Sequence, residues 1–137
     1  MLIRGFAFPE SLDYLVEHQV WARDEGDGTA TVGITSLGIH LGGEIYMCRP
    51  KATGAAVEQG HSVAVVELAK SIVSVKSPVT GVIVGVNAAL DAHPELVHRA
   101  PYGDGWIARV RVADFARDRE RLGRGRSAVP RWRSTRG

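Results

Sequence analysis

Two valine-rich stretches separated by a short polar break constrain this chain more than any other feature. The first runs Val63-Ala-Val-Val-Glu-Leu68 and the second Ile72-Val-Ser-Val75, with Ala69-Lys70-Ser71 between them. β-Branched runs bounded by polar breaks form paired strands, so the segment predicts a hairpin with Lys70 at its tip. Such a tip holds an ammonium group out in solvent on a rigid scaffold. Turns are polar as a rule, so the hairpin alone favours an ordinary solubilising lysine, with a covalent carrier site as the sharper alternative.

Other segments extend the β pattern. Asp27-Gly28 lies between Val20-Trp21-Ala22 and Ala30 to Thr35, which predicts a second hairpin. Ser36 to Leu41 suits one or two helical turns stopped by Gly42-Gly43. Glu44 to Arg49 is expected as a strand closed by Pro50, and Ala55 to Glu58 as a short β-like piece. Val82 to Val86 follows as a further strand, then Pro94 to His98 as one helical turn and Pro101 to Gly105 as a turn. Trp106 to Val112 alternates as a half-buried strand does. Asp114 caps an expected helix over Phe115 to Leu122, ended by Gly123. Many short strands with glycine turns imply a small barrel or sandwich, mainly β, in one domain.

Composition narrows the class. The 137 residues are enough for one modest core. The apolar runs are all far shorter than a membrane span, and the start lacks the long apolar stretch of a signal peptide. Cys48 stands alone, so neither an intrachain disulfide nor a cysteine metal cluster is expected. A cytoplasmic protein without membrane contact is the simplest expectation.

Charge is unevenly placed. Residues 1–114 carry a net −4, whereas residues 115–137 hold eight arginines against Asp118 and Glu120 for a net +6. Arg117, Arg119, Arg121, Arg124, Arg126, Arg131, Arg133 and Arg136 offer a grip on phosphates or an acidic partner. Glycines and Pro130 favour instead a solvated, frayed terminus. Phe115 and Trp132 are too few aromatics for a nucleic-acid stacking platform. The expected division is a domain over residues 1–122 and a basic tail over 123–137.

Catalytic signals are sparse. His18, His40, His61, His93 and His98 lack the spacing of a zinc site. Neither a Gly-x-Ser-x-Gly elbow nor a Gly-x-x-x-x-Gly-Lys phosphate loop occurs. A protein without its own active site is expected.

The remaining signal is a resemblance. Glu67-x-x-Lys70, with Ser77-Pro-Val-Thr-Gly81 beyond it, is similar to the lipoylation site of glycine cleavage H proteins. Glu25 to Thr35, Gly43-Glu-Ile45, Val86-Asn87, Pro94-Glu-Leu96 and Pro101 to Trp106 resemble the same family in sequence order, covering about residues 9–122. The resemblance implies a barrel-sandwich hybrid of the lipoyl/biotinyl type with short helices and a C-terminal helix. It implies lipoate joined by an amide to Lys70, as a neutral swinging arm that visits partner active sites. Ala69 and Ser71 flank the lysine where biotin carriers usually have methionines, so lipoate is the expected cofactor. The implied partners are a lipoate-attaching enzyme, the glycine cleavage enzymes and lipoamide dehydrogenase. Glu67 is expected to help the attaching enzyme recognise the hairpin. Gly43 and Gly81 are expected to serve backbone geometry, and Trp21 and Trp106 to lie in the core.

The chain also departs from the family. A carboxylate normally precedes the first tryptophan and another follows the lysine by four positions; here Val20 and Ser74 stand there. Those acids belong to the cleft sheltering an aminomethyl-loaded arm, and Glu17 or Glu67 would have to compensate. The Arg4 to Pro9, Val16 to Arg23 and Arg49-Pro50-Lys51 segments resemble the lipoate-binding proteins of heterodisulfide-reductase-like sulfur oxidation. The leading expectation is therefore a lipoyl carrier of that sulfur-oxidation type, partnered by a heterodisulfide-reductase-like complex and supporting glycine decarboxylase exchange poorly. The alternatives are a genuine glycine cleavage H protein and an unlipoylated binding module.

Overall fold

The computed structural model describes residues 2–3 and 6–124. A short ribbon pairs β1 (Leu2–Ile3) with β2 (Phe6–Ala7). Next come β3 (Asp13–Leu15), a 3-10 turn (Val16–His18), β4 (Val20–Asp24) and β5 (Thr29–Ile34). Helix α1 (Ser36–Gly42) leads to β6 (Met47–Pro50), β7 (Ala56–Val57), β8 (Ser62–Glu67) and β9 (Ile72–Lys76). After β10 (Gly81–Val86) two single-turn helices, α2 (Ala89–Ala92) and α3 (Leu96–Arg99), precede β11 (Ala108–Val112). Helix α4 (Phe115–Arg119) and β12 (Gly123–Arg124) close the described chain.

The larger sheet has the order β12-β3-β4-β5-β11-β10-β7, and a separate sheet has the order β6-β8-β9. Their inner faces share one core, in which Val32, Ala64, Val79, Ile83, Ile107 and Val110 are essentially inaccessible. This mainly β, two-sheet arrangement with short helices is the expected barrel-sandwich hybrid. Trp21 is fully buried and its indole N–H donates to the Ile34 and Pro101 carbonyls at 3.2 and 3.1 Å. Trp106 packs half-buried against a smaller cluster that includes Trp21. Trp21 lies in the core as expected, Trp106 only at its margin, and both predicted hairpins are present.

Several boundaries differ from expectation. The strand expected at Glu44 begins at Met47, because the Ile45 N–H donates to His98 Nε2 at 2.9 Å instead of joining a ladder. Pro50 lies inside that strand, where an edge position tolerates its missing N–H. The strand expected from Trp106 starts at Ala108, since the Trp106 N–H closes a turn onto Gly103. Helix α2 was not expected; the Asn87 side chain, which accepts from the Ala89 N–H at 3.2 Å, supports its start. Helix α4 begins as expected, with the Asp114 carboxylate accepting from the Arg117 N–H, but ends at Arg119. Beyond it, Gly123 pairs with Tyr14. None of the described helices is long and apolar enough to cross a membrane.

Candidate functional site

Strands β8 and β9 pair out to Glu67↔Ile72, and the Leu68 N–H to Ser71 carbonyl bond of 2.8 Å closes the tip. Lys70 is exposed there, with no hydrogen bond or ion pair to another described side chain. Val63, Ala64, Val66 and Val75 anchor the hairpin in the core, so the tip is carried on a fixed base. The lysine is exposed while its support is rigid.

The outer edge of β9 is unpaired in its sheet and forms one wall of a cleft of about 330 Å³. Val66, Leu68 and Val73 line the hairpin side, and Val20, Ile34 and Ile39 the opposite side. Ser74 also lines it, and its buried hydroxyl oxygen has no hydrogen-bond partner. The structure therefore brings together Val20 and Ser74, the two positions where acids were expected. Glu17 lines the same cleft, but Glu67 does not and instead faces Arg49 at 3.6 Å.

The opposite wall depends on residue Gln19, which adopts a left-handed φ of 54°. Its amide donates to the Val16 carbonyl at 2.8 Å, and its side-chain oxygen accepts from the Thr35 hydroxyl at 2.7 Å. Thr35 in turn caps α1 through the Gly38 N–H. The 3-10 turn and α1 are thus fastened to each other beside the cleft. Glutamine is an unusual residue for positive φ, so no local pattern marked this link. Gly43 ends α1 at φ 84°, and an added Cβ at Gly81 would collide with the Arg111 carbonyl, so both glycines serve the backbone as expected.

Residues 115–124 of the segment expected to be a frayed terminus are tied to the body, and residues 125–137 lie outside the described residues. Asp118 is buried, its carboxylate accepting from the Thr80 N–H and its carbonyl from Gln59 Nε2, both at 2.8 Å. Arg119 reaches Asp24 at 2.9 Å and Asp13 at 3.5 Å, and its guanidinium lies 4.1 Å from the centre of the Phe115 ring. Arg121 Nη2 donates to Glu17 at 3.2 Å. Arg126, Arg131, Trp132, Arg133 and Arg136 lie outside the described residues.

Other reactive groups do not converge. Among the described residues no three His, Cys, Asp or Glu side chains are grouped to hold a metal. Burial pushes the Cys48 thiol up to about 11, which keeps it protonated and unreactive. His61 and His93 each face a neighbouring glutamate, and His98 serves Ile45.

Comparison with known proteins is consistent with this architecture. The family model described as glycine cleavage H-protein matches residues 12–131. "Glycine cleavage system H protein 2" of Aquifex aeolicus is 39% identical over 126 residues, covering 92% of this chain and 78% of the relative. The "Glycine cleavage system H protein" of Marinobacter nauticus is 45% identical over 107 residues, covering 77% and 81% of the two chains. The crystal structure of a glycine cleavage system H protein from Mycobacterium marinum superposes with a TM-score of 0.70 at 30% identity, covering 77% of this chain and 87% of that one.

Proposed function

The chain belongs to the glycine cleavage H-protein family, and we propose that it is a carrier whose lipoyl arm is joined by an amide to Lys70. The observation that carries this reading is the exposed, unpaired Lys70 on a rigid hairpin whose own edge strand walls an apolar cleft. The residues present suit the group. Val66, Leu68 and Val73 offer an apolar surface to the arm's hydrocarbon, and the buried, unpartnered Ser74 hydroxyl offers it a polar contact. When attached, lipoate supplies a sulfur pair that accepts a one-carbon amine load and electrons. The chain itself presents the arm, shelters its end from water and supplies no reacting group of its own.

In this reading the partners are a lipoate-attaching enzyme, for which Glu67 is a recognition residue, the glycine cleavage enzymes and lipoamide dehydrogenase. The carrier domain spans residues 1–122 and continues through the Gly123 pairing, with the arginine-rich tail beyond it. The sulfur-oxidation setting is no longer the leading reading, because the family match and the named relatives support glycine cleavage. Val20 and Ser74 in the cleft remain the observation favouring a different cargo. Glu17 lines the same cleft and is a carboxylate available there, at neither of those two positions.

Glycine–bicarbonate exchange tests the reading. Lipoylated chain mixed with a glycine decarboxylase should support exchange, and the Lys70→Ala chain should not. A lipoylated chain no better than Lys70→Ala, with a decarboxylase active on its own H protein, contradicts it.

A further inference from the structure

Residues 43–46, which join α1 to β6, form a thin partition between two spaces. Ile45 lines the cleft described above, while Gly43 and Glu44 line a more open groove shared with His98 of α3. The partition belongs to no helix or strand, and two consecutive backbone N–H groups hold it in place. The Tyr46 N–H donates to the Glu67 carbonyl at 2.8 Å, at the end of β8 beside the hairpin tip. The Ile45 N–H donates to His98 Nε2 at 2.9 Å, its acceptor among the described residues. From these contacts we infer that His98 is a proton-operated latch on the cleft wall, closed while its ring is neutral and open once the ring is charged.

The chemistry follows from the acceptor. A ring nitrogen accepts an N–H only while it carries no proton, so the neutral ring holds its one proton on Nδ1. Protonating Nε2 sets donor against donor, and Ile45, only 6% exposed, has little water to turn to. Gly42 and Gly43 have open space around them, which leaves the freed segment room to move at one end. The Tyr46 bond holds the other end, so the change stays local. The titratable groups sharing the groove are His40 of α1, Glu44 of the partition, and Glu95 and Arg99 beside His98. Glu17, His18 and Lys76 line the cleft side. None of them accepts the Ile45 N–H, so the charge on His98 makes or breaks that bond. Histidine is the side chain that ordinarily titrates near physiological pH. On the carrier reading the latch sets how firmly the wall stands beside the arm, but it operates on the chain without one.

NMR of the full, unlipoylated chain tests the latch. Above the titration of the ring, its nitrogen shifts should place the proton of His98 on Nδ1 and leave Nε2 bare. As pH falls through that titration, followed on the ring's own carbon-bound protons, the Ile45 amide should lose protection from hydrogen exchange. The expected loss, corrected for the intrinsic effect of pH, is about tenfold, the result of stranding one buried donor. The Ile107 amide, bonded to the Val32 carbonyl at 2.9 Å, should keep its protection and so report that the fold as a whole is intact. His98→Gln offers an oxygen that does not titrate and should abolish the pH dependence, whatever its level of protection. His40→Gln should leave the dependence in place. A proton on Nε2 of the neutral ring, or a ring that stays neutral until the chain unfolds in acid, overturns the proposal. So does an Ile45 protection that is unchanged, that falls only together with Ile107, that keeps its pH dependence in His98→Gln or that loses it in His40→Gln. With no arm present, either result leaves the carrier reading where it stands.

Discussion

Trp21 occupies the space that a side chain at Gly33 would fill. An added Cβ there would lie 2.6 Å from the indole ring, on the strand paired directly with it. The indole has no room to retreat, since it is fully buried and its N–H is shared between two carbonyls. Gly33→Ala is therefore expected to destabilise the chain by about 1–3 kcal/mol, the usual cost of overpacking. Urea denaturation measures it, and an unchanged midpoint would show that the indole yields freely.

Arg119 ties α4 to two strands at once, through Asp24 and the buried Asp13. Removing a cation beside a buried carboxylate costs more than an exposed pair is worth. Arg119→Ala should lower stability by about 1–3 kcal/mol, whereas Arg117→Ala, on the same helix, should stay within about 0.5 kcal/mol of wild type. Equal effects in thermal or urea melts would contradict a specific clamp.

Asp118 gives a pH signature. Burial holds its carboxyl above the ordinary range, outweighing the hydrogen bond from the Thr80 N–H. The folded chain therefore keeps this proton to higher pH than the unfolded chain. Stability consequently falls as pH rises from the ordinary value of 3.8 through the raised one. Asp118→Asn removes that slope, so the wild-type minus variant stability should decline across the window and level off above it. Urea melts at spaced pH values check this; a difference that grows with pH contradicts it.

What was legible in the sequence was local. The hairpin at Lys70, the Asp27-Gly28 hairpin and α1 ending at Gly43 all rest on neighbouring residues whose preferences agree. What was not legible depends on distant partners. The late start of β6 follows from His98, 53 residues from Ile45, and the docking of the basic segment follows from Arg119 meeting Asp24 across 95 residues. The cleft shows both kinds. Val20 and Ser74 stood out by resemblance, but the choice of Glu17 over Glu67 needed the folded chain, because Glu67 faces away toward Arg49.

The most direct test of the account is the mass of the protein purified from its native host. One lipoyl amide is predicted, located on Lys70 by peptide mapping. It should be absent from Lys70→Ala, whose exposed position keeps its stability within about 0.5 kcal/mol of wild type. An unmodified chain, or an adduct on any other residue, would contradict the central claim.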